Sequence, residues 1–72
     1  MTKAIIFSKS KAGLVPVFMK SCNTRKKAIS SVVKYIKEHY PNLYKQYLTE
    51  ADLINNLGKL ENIRVEIADA NS

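Results

Sequence analysis

The rhythm of hydrophobic and polar positions changes along the chain, and each rhythm predicts an element. Lys3 to Ser8, KAIIFS, groups branched and aromatic residues without helical spacing and predicts a short strand. Ser8 to Gly13, SKSKAG, is a turn signal. Leu14 to Lys20, LVPVFMK, predicts a second strand, and the two runs read as an antiparallel hairpin. Pro16 has no N–H for a ladder, so this strand is expected at a sheet edge or with a bulge. Neither run alternates cleanly between polar and apolar. Both faces of the hairpin are therefore expected to be partly covered, by a second subunit for example.

From Ser21 to Tyr40 the period lengthens to that of a helix, with Asn23 or Thr24 as its cap. At about 100° per residue, Ile29, Val32, Val33, Ile36 and Tyr40 fall in one stripe about 100° wide, the expected core face. Lys26, Lys37, Lys34 and Lys27 occupy an adjoining stripe of about the same width. The short side chains of Ser30 and Ser31 lie beside these lysines and leave room for a bulky partner. Pro41 ends the helix, because the residue before a proline is biased away from helical geometry. Asn42 to Leu48, NLYKQYL, predicts a short second helix. Thr49 opens a third, with Asp52 at the capping-box position and acids that suit the helix dipole. Leu53, Ile54 and Leu57 follow at helical spacing, and Gly58 marks the stop. One bent helix over 42–57 is the alternative. In ENIRVEIAD, Ile63, Val65 and Ile67 alternate with Asn62, Arg64 and Glu66, predicting a strand with one wet face. Residues from about 69 to the end read as a loose tail.

The order β-β-α-α(α)-β defines a small α+β domain: a three-stranded, mostly antiparallel sheet with helices packed on one face. The pattern leaves open which neighbour the last strand takes. With 72 residues, the chain is expected to form a single domain over 1–72, of modest stability and with a small core. A hydrophobic fraction of 46% with only two glycines and two prolines is globular rather than disordered. The apolar run Ala4 to Phe7 is too short for a signal-peptide core or a membrane span. Together with one free cysteine, Cys22, it suggests a soluble cytoplasmic protein with no membrane role.

Catalytic chemistry finds little support. One histidine, His39, and one cysteine do not make a metal cluster, and no cofactor motif is present. His39 suits the C-terminal end of its helix, and Cys22 lacks an orienting base at any familiar spacing. Glu50 and Asp52 are explained by the helix start. No enzyme is expected.

Charge changes the picture most. All nine Lys and Arg residues of Met1–Lys37 stand without a single Asp or Glu, whereas Glu38–Ser72 holds three basic and six acidic residues. The +6 net charge thus hides a strongly basic first half. Arg25, Lys26 and Lys27 even crowd the first helical turn, where each cation opposes the dipole by about 0.3–1 kcal/mol. An anion docked there reverses the sign. The expected anion-binding set is Lys9, Lys11, Asn23, Thr24, Arg25, Lys26, Lys27, Lys34 and Lys37. Its first-ranked partner is the backbone of DNA or RNA, held with little sequence preference because few of these side chains read bases. The alternative is a regulator or inhibitor, of the kind phages and mobile elements encode, that covers an acidic protein surface. Val15, Val17 and Met19 near the edge would then form an apolar interface, open to that protein or to a homodimer through the edge strand.

Overall fold

The computed structural model describes residues 1–69. Strand β1 (Thr2–Ser10) turns into β2 (Gly13–Cys22), and helix α1 (Arg25–His39) follows. Short helices α2 (Pro41–Tyr44) and α3 (Glu50–Asn55), a 3-10 turn at Leu57–Lys59 and strand β3 (Ile63–Asp69) complete the chain. The sheet order is β2-β1-β3, antiparallel throughout, so the question left open by the sequence resolves with β1 in the centre.

The hairpin closes through Lys11 and Ala12 between the paired Ser10 and Gly13. Gly13 has φ 115°, a backbone conformation that side chains with a Cβ rarely adopt. β2 is an edge strand and it also carries a bulge. Ile6 faces Phe18 but Phe7 faces Pro16, so Val17 is the extra residue. The missing N–H of Pro16 is accommodated at this irregularity. The strand shows no clean alternation because both of its sides carry apolar residues: Leu14, Pro16 and Met19 on one, Val15 and Phe18 on the other.

On the helix side of the sheet, Ala4 and Ile6 of β1 and Ile63 of β3 meet Ala28, Val32, Val33 and Ile36 of α1. Leu53, Leu57 and Leu60 close the core. The buried face of α1 is centred slightly away from the expected stripe. Ala28 is fully buried, and Ile29 and Tyr40 are packed against the core but only partly covered.

Local capping follows the sequence. The Thr24 hydroxyl accepts from the Lys27 N–H at 3.2 Å, and Thr49 accepts from Asp52 at 3.1 Å. The second helix is corrected. It begins at Pro41, a favoured first helical position, and stops at Tyr44 rather than running to Leu48. Leu43, Tyr44 and Tyr47 pack against the core, while Leu48 is 94% exposed in the turn that follows. α3 ends at Asn55, and Leu57 and Gly58 belong to the 3-10 turn instead. Residues 42–57 are therefore two helices, not one. β3 continues through Asp69, where the tail was expected to begin, and residues 70–72 lie outside the described residues.

Candidate anion-binding face

The outer side of α1 carries Lys26, Lys27, Lys34 and Lys37, all exposed, with Ser30 exposed among them. Their stripe lies well away from the Val32 and Ile36 side, so core packing turns it outward. Lys20 joins it from β2. It pairs with Ala4 and thus stands on the helix side of the sheet, where it lines a shallow recess with Phe18, Ser31, Lys34, Tyr35 and Glu38. The sequence pattern did not single out Lys20, because its place beside α1 follows from the pairing with Ala4, a tertiary contact that no local signal announces.

Carboxylates border this stripe without closing it. Glu38 lines the recess shared by Lys20 and Lys34, and Glu50 lines another with Ser30, Lys34 and Lys37. The Glu50 carboxylate accepts from the Tyr44 hydroxyl at 3.4 Å. Among the described residues the one ion pair is Arg25–Asp69, at 3.7 Å. Lys37 is drawn toward an aromatic face, 5.7 Å from the Tyr44 ring centroid.

The expected nine-residue set does not assemble into one surface. Lys9 and Lys11 belong to the hairpin end of the sheet. Arg25 follows the opposite end, where Thr2 pairs with Cys22. Eight strand positions separate the two ends, about 27 Å. Lys9 also donates to the Leu60 carbonyl at 3.0 Å, which ties it to the approach to β3. At the α1 start, Thr24 occupies one free N–H and Arg25 leans to Asp69, so the first turn already holds an acceptor and a carboxylate of its own. Asn23 is exposed just before the cap.

The apolar set is divided too. Met19 pairs with Ile5, on the side away from the helices, whereas Val15 pairs with Ser8 on the helix side. Val17 is the bulged residue, and its carbonyl accepts from the Tyr35 hydroxyl at 3.3 Å. All three are exposed.

The aromatic side chains are occupied by packing. Tyr35 lies between Phe18, at 4.7 Å between centroids, and His39, stacked at 4.3 Å. Tyr40, Tyr44 and Tyr47 pack against the core. Burial, and secondarily the neighbouring Tyr35, pushes the Tyr40 phenol above its ordinary range. Cys22 is half-buried, with its sulfur 3.8 Å from the Ser31 hydroxyl. Among the described residues no group of three or more His, Cys, Asp or Glu side chains could hold a metal ion, and no helix is long and apolar enough to cross a membrane.

These features define an α+β domain with its sheet covered on one side and four lysines grouped on the outer face of α1, with Lys20 of β2 beside them. No protein-family model, curated protein or solved structure matches the chain. The functional reading therefore rests on this surface.

Proposed function

We propose that the chain is a small non-enzymatic binding module of the cytoplasm that lays the outer face of α1 along a nucleic-acid backbone. One observation carries this reading: Lys26, Lys27, Lys34 and Lys37 share an outward stripe, extended by Lys20, and among the described residues none of them is in an ion pair. From Lys26 to Lys37 the row is about 16 Å long. A duplex presents about ten phosphate charges over that length. The lysines act as mobile point charges, which suits phosphates in varied positions better than it suits base edges. The tyrosines are packed rather than free to stack on bases, which favours backbone contact over readout of a single strand.

A second reading keeps the same cations but makes the partner an acidic protein surface that the module regulates. It is favoured by the exposed Leu14, Val15, Val17 and Met19 of β2. A salt series decides between them. Binding to duplex DNA or RNA through about four phosphates gives a slope of log K against log salt near −3.6. Absence of binding to any nucleic acid at low salt removes the first reading.

A further inference from the structure

The helices cover one side of the sheet only. On β1 the even-numbered Thr2, Ala4 and Ile6 are buried beneath them, so the odd-numbered residues stand on the opposite side. Cross-strand register places two rows there. Met19, Ile5 and Glu66 are neighbours in one row; Pro16, Phe7 and Arg64 are neighbours in the next. An apolar band thus crosses β2 and β1 and ends on β3 in two opposite charges, both exposed. Met19 is 59% exposed, and Ile5 and Phe7 are only partly covered.

We propose that this side of the sheet docks on a second copy of the chain, about a two-fold axis that lies between the two sheets and crosses the strands at the Ile6–Val65 row. The charge order selects this arrangement. Rotation about that axis sets each strand against its own copy, running in reverse. Arg64 then faces Glu66 of the second copy, and Glu66 faces Arg64. Ile5 faces Phe7, and Met19 faces Pro16, each contact made twice. A two-fold axis parallel to the strands does the opposite: it lays Arg64 over Pro16 and Glu66 over Met19, burying unpaired charge. A second copy carries the same charge pair in the matching order, which an unrelated partner has no reason to do.

The β2 edge offers no equal route. Pro16 lacks an N–H and the Val17 bulge breaks the outer ladder of β2, two devices that oppose edge-to-edge pairing. Lys3 comes over the row of Lys9 and Leu14 near the end of the band. There the aligned sheets diverge by about 30°, and the Lys9 ammonium is already turned to the Leu60 carbonyl. Each α1 lies on the far side of its own sheet, so the dimer presents two basic helices back to back. The dimer stands independently of what those helices bind.

Sedimentation equilibrium of the full chain tests the proposal. The parent is expected to form a concentration-dependent dimer. Arg64→Glu and Glu66→Arg each place like charges opposite one another and are expected to weaken the dimer by about tenfold or more. The double exchange R64E/E66R restores the opposite pairing and returns the affinity to within about threefold of the parent. Both side chains are exposed, so circular dichroism is expected to be unchanged in all three variants. A chain that stays monomeric at millimolar concentration overturns the proposal and leaves the face to another partner. So does a dimer indifferent to the single exchanges, or a double exchange no better than either single.

Discussion

Arg25 and Asp69 meet at 3.7 Å, the first residue of α1 against the last of β3. A helix start with three cations and no acid of its own lacks a counter-charge, and the end of the third strand brings one. The same carboxylate accepts from the Thr2 hydroxyl at 2.7 Å, and Thr2 is only 4% exposed. Asp69 therefore links the helix start and the start of the central strand at one end of the sheet. Both partners of the ion pair are 57% exposed, so the pair itself contributes little, and the hydrogen bond to a buried hydroxyl contributes more.

Two substitutions separate these roles. Asp69→Asn keeps an oxygen for Thr2 and removes the charge, and is expected to cost less than about 1 kcal/mol. Asp69→Ala leaves the Thr2 hydroxyl without its partner and is expected to cost about 1–2 kcal/mol more. Urea denaturation of both variants reads the difference. Asp69→Asn also releases Arg25 toward an anion, so the salt slope of nucleic-acid binding is expected to steepen by about 0.9. An unchanged slope would exclude Arg25 from the interface.

Tyr40 predicts an alkaline limit. Its phenol is half-buried at the end of α1, with the Tyr35 ring centroid 6.2 Å away. Burial raises its pKa above the ordinary 10.0, and Tyr35 adds to the shift. The folded state thus holds this proton to higher pH than the unfolded chain does. The resulting stability is fully present below pH 10.0 and is lost as pH rises through the folded value. Tyr40→Phe removes the linkage. Stability measured by urea unfolding is expected to fall less steeply above pH 10.0 in this variant than in the parent, which controls for the lysines that titrate in the same range. Equal slopes would show that Tyr40 ionises alike in both states.

Much of the fold was legible because its signals are local. The alternation of Ile63, Val65 and Ile67, the stripe of Val32, Val33 and Ile36, and the caps Thr24 and Thr49 each depend on a few neighbouring residues, and each appears in the structure. Strand order was not legible, because a hairpin followed by a distant strand offers two edges with the same local pattern. The length of α2 was hidden for a related reason: Tyr44 and Tyr47 continue an apolar pattern, but their packing against the core does not require a continuing helix. The candidate site was half legible. Helical periodicity alone grouped the α1 lysines, whereas the strand length that separates Arg25 from Lys9 and Lys11, the carboxylate of Asp69 and the arrival of Lys20 are tertiary facts.

That separation yields the sharpest test of where an anion docks. Lys34 and Lys27 lie on the exposed face of α1, so changing either to Gln removes a cation without touching the core. Each change is expected to reduce the salt slope of nucleic-acid binding by about 0.9. Replacing Lys27, Lys34 and Lys37 together with Glu is expected to abolish binding while the circular dichroism spectrum persists. Lys11→Gln lies in the hairpin turn, off the outer face of α1, and is expected to leave the slope unchanged. Lys20→Gln decides how far the interface reaches onto β2, because its loss lowers the slope only if the partner spans the seam between strand and helix. Equal losses at Lys11 and Lys34 would mean that the charge acts as a diffuse field over the whole molecule, and no bounded site on α1 would remain.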